Sequence, residues 1–171
     1  MNIFGEKIIL RAIESKDNQM LLEIINDPDT EYMLGGWSFP VSQNNQEEWY
    51  NNLKNEKNVL RCTIDVENTA VGAVMLTDID YKNGNAEVHI KLSSSNNRGK
   101  GYGTDALNTI VKYAFLELRL HCIYAKISQK NNISQKLFSK CGFKEEGILK
   151  SRIYKKGEYI DLISYSIINN N

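Results

Sequence analysis

Net charge is missing from this chain: twenty-one lysines and arginines balance twenty-one aspartates and glutamates. No overall field therefore draws it to nucleic acid or to an anionic membrane, and any basic site has to be local. Long apolar runs are missing too. Nothing approaches a membrane span, and residues 1–12 hold no stretch long enough for a signal-peptide core, so a cytoplasmic location is expected. Cysteine is scarce, odd in number and widely spaced (Cys62, Cys122, Cys141), which fits reduced thiols better than a disulfide framework. The two histidines, His89 and His121, stand far apart with no CxxC or HxxxH pair beside them, so no metal site is expected.

What remains is an ordinary globular composition, with 25% charged and 42% hydrophobic residues among 171. That balance argues against disordered, collagenous and membrane classes and fits one domain, here residues 1–168, followed by a frayed tail at 169–171. Alternating apolar residues predict a first strand at 7–13. Met20, Leu21, Ile24 and Ile25 mark a helix that Pro28 stops, and Ser42 caps a second helix to Leu53. The segment between them, with Gly35, Gly36 and Pro40, reads as a loop or a broken helix. Period-two patterning then predicts three antiparallel strands at 59–66, 70–79 and 86–92. Leu107, Ile110, Val111, Ala114 and Leu118 fall on one helical stripe. A short strand at 122–127, a helix ended by Gly142, and two strands about the turn Lys155-Lys156-Gly157 complete the order. The class is α+β, a mixed and mostly antiparallel sheet with helices on both faces.

The chemistry concentrates in Arg98-Gly99-Lys100-Gly101-Tyr102-Gly103-Thr104, which follows a strand and opens a helix. Unpaired N–H groups of a first helical turn, three glycines without Cβ atoms, and two cations suit a diphosphate. The string is not a P-loop, and its third glycine comes one position too early for a dinucleotide fingerprint.

This segment resembles the acetyl-CoA signature of the GNAT acetyltransferases, in which Arg or Gln is followed after two residues by Gly-x-Gly. The stretch from Asn131 through Ser134 to Gly142-Phe143 and Glu146-Gly147 is similar to the family's second motif. The last hairpin, around Tyr154-Lys155-Lys156-Gly157, is similar to the branch of ribosomal-protein and spermidine acetyltransferases. The resemblance implies a single-domain GNAT-like fold and acetyl-CoA as cofactor. It implies that the amides of Arg98, Gly99, Lys100, Gly101, Tyr102, Gly103 and Thr104 hold the pyrophosphate. Leu92 and its strand backbone would pair with the pantetheine, and Asn131 with Ser134 would touch the cofactor's other side. Asn131 serves equally as a plain helix cap.

An amine must lose a proton before it attacks a thioester, so a base is needed. Glu87, His89 and Lys91 share one face of their strand. Glu87 is the first candidate for the base, a role the resemblance also implies, with His89 the second. Each also reads as an ordinary strand residue, Glu87 as an ion-paired carboxylate. The chain has one residue more between Glu87 and Arg98 than the family pattern, within 93–97. Phe138 stands where many members carry a tyrosine that returns a proton to the thiolate, so that donor is unassigned. Cys141 lies on an apolar helical stripe and reads as core.

Trp37 and Glu87 are the candidate acceptor contacts, while Trp49 reads as packing against Leu53. Asp29, Glu31, Asp78 and Asp80 would attract a polyamine or a basic N-terminus. The expected partner is a small-molecule or protein N-terminal amine, with neither nucleic acid nor membrane, in a chain that can form a homodimer. Two functions stay open: an N-acetyltransferase working by direct transfer, and a non-catalytic acyl-CoA sensor.

Overall fold

In a computed structural model, which describes residues 1–34, 39–93, 95–97 and 99–170, eight strands form one sheet. The elements in chain order are β1 (Ile3–Phe4), β2 (Ile9–Arg11), α1 (Asn18–Asn26), α2 (Pro28–Met33), α3 (Gln43–Asn52), β3 (Leu60–Val66), β4 (Thr69–Asp80) and β5 (Asn85–Leu92). They continue as α4 (Tyr102–Leu116), β6 (Cys122–Ser128), α5 (Asn132–Lys140), β7 (Lys144–Lys155) and β8 (Glu158–Ile168). The strands lie in the order β1-β2-β3-β4-β5-β6-β8-β7. Every neighbouring pair is antiparallel except β5 and β6.

Turn chemistry sets this register. The β3–β4 and β7–β8 hairpins close through two residues each, Glu67-Asn68 and Lys156-Gly157, all four at positive φ as the strand twist favours. Between β4 and β5 the Asp80 carboxylate accepts from the N–H groups of Lys82 and Asn83, each at 2.9 Å, and so closes the turn locally.

One face of the sheet packs on α4. Leu10, Ile64, Val74, Leu76, Ala86 and Val88 meet Ala106, Leu107, Ile110 and Ala114, all essentially buried. Each large aliphatic group there contributes about 1.5–3 kcal/mol by leaving water. The opposite face carries α1 and α3, with Ile24 buried against the sheet. Pro28 differs from expectation: α1 ends at Asn26, and Pro28 opens α2 instead, where its missing N–H costs nothing. Asp27 caps that helix by accepting from the Thr30 N–H at 2.6 Å. At the far end β8 runs to Ile168, and the Asn169 N–H still donates to the His121 carbonyl at 2.8 Å.

Candidate active site

The decisive local event is a splay. Strands β5 and β6 pair over three residues only, Asn85 to Glu87 with Cys122 to Tyr124, and then separate. Beyond that point β5 remains paired to β4, and β6 remains paired to β8. The facing edges from Val88 to Leu92 and from Ala125 to Ser128 thus hold main-chain groups that no strand satisfies, ready for an extended ligand rich in amides. Between them opens a cavity of about 330 Å³. Glu87, His89 and Lys91 line it from β5, Lys126 from β6, Asn131, Ser134 and Phe138 from the α5 side, and Met33 and Leu34 from the end of α2.

The two residues proposed from sequence as the base, Glu87 and His89, thus meet in one wall, with Lys91 beside them. The Glu87 carboxylate is buried and accepts a hydrogen bond from Lys126 Nζ at 2.8 Å. That bond raises the Lys126 pKa and keeps the ammonium charged. His89 Nε2 lies 3.0 Å from the Thr77 hydroxyl. Burial pushes the His89 imidazole below its ordinary value, against the pull of the Glu87 charge, and so favours its neutral form. Burial, reinforced by the Arg61 charge, likewise lowers the Lys91 ammonium.

The glycine segment stands where β5 enters α4. Ser95–Asn97 form a single 3-10 turn between the two. Gly99 and Gly101 have φ of +76° and +87°, a region that other residues enter only with strain, and Gly101 is the N-cap of α4. At Gly103 an added Cβ would lie 3.6 Å from Leu137 and 3.7 Å from Leu92, ordinary contacts, so the approach of α4 to its neighbours does not depend on this glycine. Arg98 and Trp37, both expected at the site, lie outside the described residues.

Asn131 uses both ends of its amide within the protein. Its oxygen accepts from the Ser134 N–H at 3.0 Å, and its nitrogen donates to the Met33 carbonyl at 3.3 Å. The helix-cap role is therefore realised, and the same side chain ties α5 to the end of α2 across the cavity. Phe138 is buried edge-on against Phe143, with centroids 4.9 Å apart, and presents no hydroxyl. The Cys141 thiol, pushed up by burial, faces the Thr104 carbonyl at 3.9 Å and does not line the cavity.

Sequence reasoning missed two features. Lys7, from the β1–β2 turn, places its ammonium 3.4 Å from the Lys100 carbonyl, beside the glycine loop. The signal for this is long-range: Asp105, in the first turn of α4, accepts from the N–H groups of Glu6, Lys7 and Ile8 and holds that turn against the helix start. The second is Trp49, which does more than pack on Leu53. It lines a further cavity of about 490 Å³ between α1, α3 and β4, with Arg61 stacked over its ring at 5.7 Å.

The sequence profile of the acetyltransferase (GNAT) domain matches residues 7–144. The chain belongs to the GNAT acetyltransferase family. The uncharacterized N-acetyltransferase p20 of Bacillus licheniformis is 32% identical over 170 residues, covering 97% of this chain and 95% of that one. A spermidine N(1)-acetyltransferase of Vibrio cholerae is 28% identical, over 92% of this chain and 91% of its own length. A crystal structure of the spermidine N-acetyltransferase from Vibrio cholerae, in complex with CoA and spermine, superposes with a TM-score of 0.88 at 27% identity, covering 96% of each chain. The acetyltransferase described here accordingly uses acetyl-CoA and acts on an amine.

Proposed function

We propose that this acetyltransferase joins acetyl-CoA and a primary amine in one ternary complex at the β5–β6 splay, with Glu87 receiving the amine's proton. The observation that carries this is the coincidence of three things at one place: two unpaired strand edges, a helix start whose N-cap glycine has φ of +87°, and a buried carboxylate between them. The strand edge from Val88 to Leu92 fits the amides of a pantetheine arm. The N–H groups from Gly99 to Thr104, with the Lys7 ammonium beside them, fit a pyrophosphate. When bound, acetyl-CoA would supply a thioester-activated acetyl group to the amine, the C–S bond breaking as the C–N bond forms and CoA leaving as its thiolate.

The protein's own residues then have separable tasks. Lys126 holds the Glu87 carboxylate in one place by its 2.8 Å hydrogen bond. Glu87 accepts the proton, directly or through one water, and neutral His89 two positions along the same wall accepts or relays it. Asn131 fixes the far wall by tying Ser134 to Met33. A covalent acyl-enzyme is disfavoured, since the Cys141 thiol is held protonated by burial and lies outside the cavity wall. The relatives' polyamine acceptors support an aliphatic primary amine as the class of acceptor.

The test is a two-substrate initial-rate study that follows thiol release. Intersecting lines support the ternary complex, because proximity alone removes about 7–11 kcal/mol of barrier once both reactants are held. Parallel lines, with a stable acetyl adduct on a Cys141 peptide after acetyl-CoA alone, would replace it with a ping-pong route.

A further inference from the structure

Among the described residues Lys91 is the single one shared by the walls of the two cavities, the one at the β5–β6 splay and the one between α1, α3 and β4. The charges around it are unbalanced. Among the described residues Glu87 is the only carboxylate lining either cavity, and it already accepts from Lys126. Arg61, in the second cavity, is matched by Glu56 through contacts of 2.6 and 3.0 Å. Lys91 has no carboxylate partner among the described residues, although it is half-buried. The acidic residues that suggested a polyamine lie elsewhere. Asp78 and Asp29 are exposed, Asp80 closes its own turn, and Glu31 pairs with Lys155; none of the four lines either cavity.

We infer that the acceptor is an amine bearing a carboxylate, such as an amino acid with an apolar body, whose carboxylate pairs with Lys91 while its amine faces Glu87. This rests on the ternary-complex reading above and narrows its acceptor. An ammonium held half-buried without a counter-ion is unfavourable in the free protein and is relieved when an anion arrives. Glu87 and Lys91 are four residues apart on one strand face, about 13 Å between Cα atoms, and both side chains reach inward, so a compact zwitterion bridges them. Beyond Lys91 the second cavity offers Leu21, Ile24, Ile25 and Trp49 to an apolar side chain. A polyamine would instead bring a second cation against Lys91.

The experiment is calorimetric titration of CoA-saturated protein with matched pairs, phenylalanine against phenylalaninamide and 6-aminohexanoate against 1,6-diaminohexane, with spermidine alongside. At least one carboxylate is expected to bind about tenfold tighter than its partner, the scale of one charge-assisted hydrogen bond, and spermidine to bind more weakly than that carboxylate. Lys91→Met removes the preference and Lys91→Arg retains it, while the melting shift from CoA is the same in all three proteins. Equal affinities within both pairs, tighter binding of spermidine, or a preference intact in Lys91→Met overturns the inference. Carboxylate preference in a ligand that is not then acetylated from acetyl-CoA also overturns it, whereas acetylation of the preferred carboxylate with parallel initial-rate lines would sink the ternary-complex reading alone.

Discussion

Arg11 and Lys91 stand at the two ends of one cross-strand row, Arg11–Thr63–Ala73–Lys91, on a single face of the sheet. At the β2 end the guanidinium bonds two buried carboxylates, Asp17 at 2.7 and 2.9 Å and Asp65 at 2.7 Å, and the Thr63 hydroxyl adds a bond to Asp17 at 3.0 Å. At the β5 end the ammonium has no carboxylate among the described residues, and Glu87, on the same strand face, has one ammonium and an open cavity. The first cluster has satisfied nearly every donor and acceptor, which makes it a fastener between β2, β3 and the entry to α1. The second is left with capacity to spare, which is what a ligand-binding wall requires.

The largest effect expected from breaking this comparison is on stability. Arg11→Met strands two buried carboxylates and should cost about 3 to 5 kcal/mol in urea unfolding, while turnover per folded molecule changes little. Acid acts on the same point. Burial alone would raise the Asp17 pKa, but hydrogen bonds from Arg11, the Glu14 N–H and Thr63 outweigh it and hold the carboxyl below its ordinary value. With the folded pKa depressed, the stability it confers is full above the unfolded value. It is lost below about pH 4 as the folded carboxyl protonates, and Arg11→Met should flatten that acid limb. A variant as stable as the wild type would show that the cluster is not a fastener.

A smaller effect is expected at the glycine loop. Acetyl-CoA at a hundred times its Kd should stabilise the folded protein by about 2.7 kcal/mol, read as a rise in Tm. Gly101→Glu should abolish that rise, since it sets a negative side chain beside the Lys7 ammonium and the proposed pyrophosphate position. The substitution also carries the strain of φ +87°, so the comparison is made on protein shown by circular dichroism to be folded. An undiminished rise in Tm would move the cofactor elsewhere.

How much of this was legible beforehand follows the range of the interactions. The three central strands, the helix after the glycine segment and the last hairpin carry their own periodicity and turn residues, and they form within a few residues of expectation. Two-residue β1 is too short for any period to register, and α2 was obscured because Pro28 signals a helix start as well as a stop. At the site, the shared face of Glu87, His89 and Lys91 follows from strand alternation alone. Their partners Lys126 and Thr77 do not, because they come from neighbouring strands whose register the sequence leaves open. Lys7 beside the glycine loop, and the missing counter-ion of Lys91, are likewise products of tertiary placement.

Turnover of Glu87→Gln at saturating acetyl-CoA and amine tests the central claim most directly. If Glu87 takes the proton at the splay, the variant should fall about a hundredfold or more near neutral pH, with the acetyl-CoA-induced rise in Tm and the unfolding midpoint nearly unchanged. Turnover within about twofold of the wild type across the pH range would contradict it and pass the proton to His89 or to water.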